Sequence, residues 1–144
     1  MQKLNRHQER REVLFLLFET LFKEDESPEL IYSLSKDERQ LPESNYIKDT
    51  YFGVTSNVKA IDDHINAHAK GRSASQMSAV TRSILRLAVY EILYADGLEP
   101  RIAINEAVEL SKEFEDIKVK GFINGILNAI YKDSLENSEE KNDG

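Results

Sequence analysis

The sequence predicts an all-α protein of six or seven helices packed as two small helical bundles. Three observations point there. Apolar residues recur at three- and four-residue spacing through most of the chain. Helix-starting signals stand in front of those runs, at Asn5, at Ser27 with Pro28, and at Ser78. No stretch alternates as a strand does, and the few glycines and prolines fall mainly between the apolar runs.

Asn5, with Gln8 three places on, forms a capping pair, and Leu14, Leu17, Phe18 and Leu21 then repeat at helical spacing, so helix one is expected over about Asn5 to Phe22. Its apolar stripe fills the second half. Its first half carries Arg6, His7, Arg10 and Arg11, with Arg6 above Arg10 and His7 above Arg11. Ser27 and Pro28 open a short helix to about Lys36. Beyond Pro42 a longer one is expected, marked by Tyr46, Ile47, Tyr51, Val54, Val58, Ile61 and Ile65 and ended by Gly71, with Gly53 marking a close helix contact. "GRSASQMS" is small and polar and reads as a joint with one helical turn of its own. Ser78 then caps "AVTRSILRLAVYEILYADG", whose apolar residues cover nearly the whole circumference, as in a helix at the centre of a bundle. Helices over about Ile102 to Phe114 and Lys118 to Lys132 complete the pattern. The expected division is residues 1–72 as an N-terminal bundle, 73–133 as a C-terminal bundle, and 134–144 as an acidic, disordered tail.

Composition removes several functions. No apolar run approaches the ~20 residues of a membrane span, and helix one has mixed charge where a secretory signal needs an apolar segment. A cytoplasmic protein with no membrane partner is expected. The absence of cysteine excludes disulfides, thiolate metal sites and cysteine nucleophiles. No glycine-rich phosphate loop occurs. His64 and His68 stand four apart, a spacing that can grip zinc, yet Ile65, Asn66 and Ala67 between them supply no catalytic glutamate; their plainer reading is imidazoles at a helix end, suited to its dipole. No enzyme, cofactor or metal is expected. Arg86 interrupts the most apolar helix and needs a partner, for which Glu106 and Glu109 are candidates. Asn105 and Asn124 are expected to share hydrogen bonds across the same bundle.

The surface cations carry more. The chain has a net charge of -7, yet Lys3, Arg6, Arg10 and Arg11 against Glu9 give the first eleven residues +3. Cations at a helix N-terminus oppose its dipole by a few tenths of a kcal/mol up to about 1 each. An anionic ligand compensates them. Lys118 and Lys120 lead into the last helix, where free backbone N–H groups favour phosphate, and Phe122 offers a ring to an unstacked base. The same residues admit a plainer reading: a solvated charged end on helix one, an ordinary loop at Lys118 and Lys120, and a core position for Phe122.

In "RSILRLAVYEILYADGLEPRIAINEAVELSKEF" followed by "GFINGILNAI", and more loosely in "ERREVLFLLFE", the sequence resembles the NusB family of transcription antitermination factors. The resemblance implies two small helical bundles and binding of a single-stranded RNA element, boxA, together with a small-subunit ribosomal protein that doubles as NusE. The pair serves a transcribing RNA polymerase complex. It places the family's arginine-rich stretch on Arg6, Arg10 and Arg11, and its "KFVNG" motif on Gly121, Phe122, Ile123, Asn124 and Gly125. Two departures stand out: Lys118 and Val119 replace the usual acid-serine pair, and Gly121 replaces the usual lysine. The RNA-binding set expected from residues and resemblance together is Lys3, Arg6, Arg10, Arg11, Phe18, Lys118, Lys120 and Phe122, the cations on phosphates and the two rings on bases. Residues facing the protein partner are not identified. Two alternatives stay open: a protein-interaction adaptor without RNA affinity, and a NusB-like domain serving an RNA-modifying enzyme, which the short chain disfavours.

Overall fold

The computed structural model describes residues 3–143, with side chains placed as far as residue 138. Seven α-helices follow one another among these residues: α1 (Arg6–Leu21), α2 (Pro28–Arg39), α3 (Asn45–Ser56), α4 (Val58–His68), α5 (Ala79–Leu93), α6 (Pro100–Phe114) and α7 (Val119–Asp143). Local chemistry sets their starts. Asn5 and Gln8 form a reciprocal capping box on α1, Ser27 caps α2 with Pro28 in the first turn, and Ser44 and Ser78 cap α3 and α5. A single 3-10 turn (Ala74–Gln76) sits in the joint between α4 and α5.

The helix expected to run from Pro42 to Gly71 is two. Asn57 turns its amide onto the carbonyl of Gly53 at 2.7 Å, its backbone N–H bonds Val54 rather than continuing the ladder, and α4 restarts from its carbonyl. A side chain that bonds the preceding turn competes with the helix backbone at that point. At the other end of the chain, the stretch expected as a disordered tail is helical through Asp143. No proline or glycine interrupts it after Gly125, and Leu, Glu, Asn and Lys continue a helix at little cost.

α5 is the axis of the molecule. It packs on α1, α3, α4, α6 and α7, and Ile84, Leu85, Leu87, Ala88 and Val89 are all buried. One core joins Leu16 and Tyr51 to Leu85, Leu110 and Leu127, so the apolar interior continues across the boundary expected at residue 72. Gly53 lets α3 approach α5: a Cβ there would lie 2.4 Å from the ring of Tyr90.

Three polar expectations are corrected. Arg86 pairs with Asp62 of α4, Nε to Oδ1 at 2.9 Å and Nη2 to Oδ2 at 2.7 Å, and not with Glu106 or Glu109. Arg86 points from α5 toward α4, away from the α6 face. Asn105 and Asn124 are both exposed, and Asn124 accepts a hydrogen bond from Asn128 of its own helix.

Candidate nucleic-acid interface

The cations on the first half of α1 divide by helical phase. Arg6 and Arg10 turn toward α3: the guanidinium carbon of Arg6 lies 4.1 Å from the centroid of the Tyr46 ring, and Arg6 Nε donates to Glu9 at 3.2 Å. His7 and Arg11 turn toward α6, where Glu106, Glu113 and Phe114 meet them.

Arg10, expected on the phosphate-binding surface, is buried, with 3% of its surface exposed. Its Nε and Nη2 donate to the two oxygens of Glu91 on α5 at 3.0 and 3.1 Å. Glu91 is itself 2% exposed. A carboxylate placed in the central helix needs a cation, and Arg10 supplies it, which removes that cation from the surface. Tyr46 lies alongside; burial and then the charge of Glu91 push its hydroxyl pKa up.

His7 bridges two acids of α6. Its Nδ1 lies 2.8 Å from Glu106 and its Nε2 2.6 Å from Glu113. Hydrogen bonds to Glu106 and then Glu113 raise its pKa above the usual 6.5. Arg11 makes a looser 3.4 Å contact with Glu113 and lies over the ring of Phe114. Its side chain stays 42% exposed. Thus Arg6, Arg10 and Arg11 each have an internal carboxylate, and the +3 of the first eleven residues is largely answered within the protein.

The situation differs where α7 begins. Just before α7, Asp116 accepts the backbone N–H of Lys118 at 3.0 Å. Lys118 and Lys120 are exposed and form no ion pair among the described residues. Lys118 and Phe122 line an open cleft of about 530 Å³ together with Lys70, Arg72, Met77, Ser78, Thr81, Glu115 and Val119. Phe122 packs its inner side on the core and keeps part of its ring at the cleft. Glu115, the one acid lining it, accepts hydrogen bonds from the hydroxyls of Ser78 and Thr81.

Phe18 is part of a neighbouring apolar hollow with Leu14, Phe15, Val80 and Phe114. Phe114 packs edge-on against Phe15 at 5.5 Å and lies under Arg11, so Arg11, Phe114 and Phe18 adjoin one another, and Val80 is next in sequence to Thr81 of the cleft. Arg11 and Phe18 thus adjoin Phe114 at the end of α6, and Lys118 and Phe122 line the cleft at the start of α7. Arg6 lies on the α3 side, and Lys3 and Lys120 are exposed and form no ion pair among the described residues. Lys70 and Arg72 belong to the cleft but not to the expected set. Their sequence signal was two cations flanking a helix-ending glycine, in a stretch that matters only once the joint folds against α7.

Away from this surface, His68 pairs with Asp133 at 2.7 Å. No group of three potential metal ligands occurs among the described residues, and no helix there is long and apolar enough to cross a membrane.

Comparison with known proteins places these features in context. The NusB family model matches residues 7–132. The transcription antitermination protein NusB of Natranaerobius thermophilus is 35% identical over 131 residues, covering 88% of this chain and 94% of that protein. T. maritima NusB superposes with a TM-score of 0.81 at 32% identity, covering 91% of this chain and 93% of the other. A NusB crystallised with NusE and double-stranded RNA superposes at 0.77 and 26% identity, over 90% of this chain and 98% of its own. With helices, core and α7 motif falling inside a match that spans nearly its whole length, the chain belongs to the NusB family.

Proposed function

We propose that this chain is an RNA-binding transcription antitermination factor that holds boxA-type single-stranded RNA jointly with a NusE-like small-subunit ribosomal protein, in the service of a transcribing RNA polymerase complex. The observation that carries this reading is the cleft at the start of α7, where unpaired cations surround a partly exposed aromatic ring in an otherwise acidic protein. Cations hold phosphates and give affinity without sequence discrimination, whereas rings stack on unpaired bases. Family membership, and a relative captured with both NusE and RNA, support the same assignment. Arg11, Lys118 and Lys120 serve as phosphate contacts, Phe122 and Phe18 as base contacts, and Lys3 and Arg6 as peripheral charge.

Affinity for a boxA-type RNA against a scrambled RNA of equal length, with and without the ribosomal partner, tests this. Preference for boxA that strengthens with the partner is expected. The adaptor reading draws on a different observation, the internal pairing of the arginines of α1. Partner capture with no RNA retained, alone or in the pair, would favour it.

A further inference from the structure

We propose that the joint between α4 and α5 is a further RNA-contacting element, in which Arg72 closes over Phe122 to clamp one unstacked nucleobase. This rests on the RNA-binding reading above and assigns a part of that site which neither the α1 arginines nor the α7 motif contains.

Four observations carry it. Lys70 and Arg72 are exposed and form no ion pair among the described residues, unlike the arginines of α1. They line the same cleft as Lys118 and Phe122, facing a single acid, Glu115, that two hydroxyls already engage. The guanidinium carbon of Arg72 stands 6.0 Å from the Phe122 ring centroid. That is near the outer reach of a cation–π contact. A base held between two such groups needs about 7 Å, twice a carbon contact of ~3.5 Å. An exposed side chain therefore opens the clamp by swinging about 1 Å.

The fourth observation is the rigidity of the frame. The N–H of Ala74 donates to Asn66 of α4 at 2.7 Å, Arg82 of α5 donates to the carbonyl of Ser75 at 3.0 Å, and Ser73 and Gln76 cap each other across the 3-10 turn. Backbone already tied to both flanking helices needs little further ordering when a ligand arrives. Guanidinium planes stack on bases as aromatic rings do, and the net positive charge of the cleft suits the attached phosphate. An unstacked nucleotide of a single strand satisfies the flat ring, the planar cation and the flanking lysines together; an acidic peptide uses the cations alone.

The test is fluorescence anisotropy on the full chain with a boxA-type single strand and a series carrying one abasic site at each position in turn. With the wild-type protein, one position is expected where losing the base weakens binding about five- to hundredfold. Arg72→Ala and Phe122→Ala should each weaken the intact RNA and erase sensitivity at that position. Arg72→Lys should keep the salt dependence and lose the base sensitivity, because an ammonium is not planar. If Arg72→Ala leaves affinity and abasic profile as in wild type, the clamp is wrong. It is also wrong if Arg72→Ala weakens intact and abasic RNA equally while the salt slope falls by about 0.7, the mark of a phosphate contact. A wild-type protein that retains no RNA overturns the functional reading itself, and is distinguishable from both.

Discussion

Arg10 and Glu91 are each nearly fully buried and bonded through two N–H groups, so neither has water to fall back on when the other is removed. Arg10→Ala is expected to destabilise the fold by about 3–5 kcal/mol, and Arg10→Met with Glu91→Leu to restore most of it. Urea unfolding of the three proteins checks this; a single variant as stable as wild type would mean the pair is solvated. His7 adds a pH dependence. Its pKa is raised in the folded state by Glu106 and then Glu113, so its contribution is complete below the unfolded value of about 6.5 and fades as pH rises through the folded value. Wild type should lose more stability than His7→Ala between about pH 6 and pH 9. Equal losses would show that the bridge contributes nothing. The misassignment of Arg10 has a physical source: the four basic residues look alike along α1, and which one turns inward is decided by a glutamate eighty-one residues away.

At the level of the helices, the starts were legible because caps are local. The capping box at Asn5, the Ser27-Pro28 start and the Ser78 cap all act within one turn. The break at Asn57 was not, since an unbroken apolar stripe runs through it and the side-chain bond to Gly53 competes with a helix that propensity alone would continue. The extension of α7 is hidden for the opposite reason: an acidic segment poor in apolar residues predicts disorder, yet nothing in it stops the helix. Gly53 was legible as a contact point, and its partner Tyr90 was not. Two effects oppose one another there. Alanine improves helix propensity by about 1 kcal/mol. A methyl group 2.4 Å from the Tyr90 ring displaces that ring from its stack on Tyr94, an overpacking cost of about 1–3 kcal/mol. Gly53→Ala should therefore be neutral to destabilising by about 2 kcal/mol in wild type and stabilising by about 1 kcal/mol in a Tyr90→Ala background. Thermal unfolding of the four proteins gives the sign in each, and the same sign in both would rule out the Tyr90 contact as the cause.

For the whole molecule, the question is where an acidic protein keeps positive charge that its own acids do not answer. Net charge located the asymmetry in the first eleven residues, while folding answers most of that charge with Glu9, Glu91, Glu106 and Glu113. A cluster of cations with no ion pair among the described residues, Lys70, Arg72 and Lys118, lies where the α4–α5 joint meets the start of α7. Half of that surface, Lys118 and Phe122, could be read in the chain; the other half, Lys70 and Arg72, is brought there only by the packing of α7 on α4 and α5. The dependence of boxA-type RNA affinity on salt tests this placement most directly. With about four phosphates neutralised, the slope of log K against log salt should be near -3 for wild type. It should become shallower by about 1.4 in the Lys118→Ala, Lys120→Ala double variant and stay unchanged in Arg6→Ala. A double variant with the wild-type slope, or an Arg6→Ala variant that loses it, would move the RNA surface back to α1 and contradict the placement at α7.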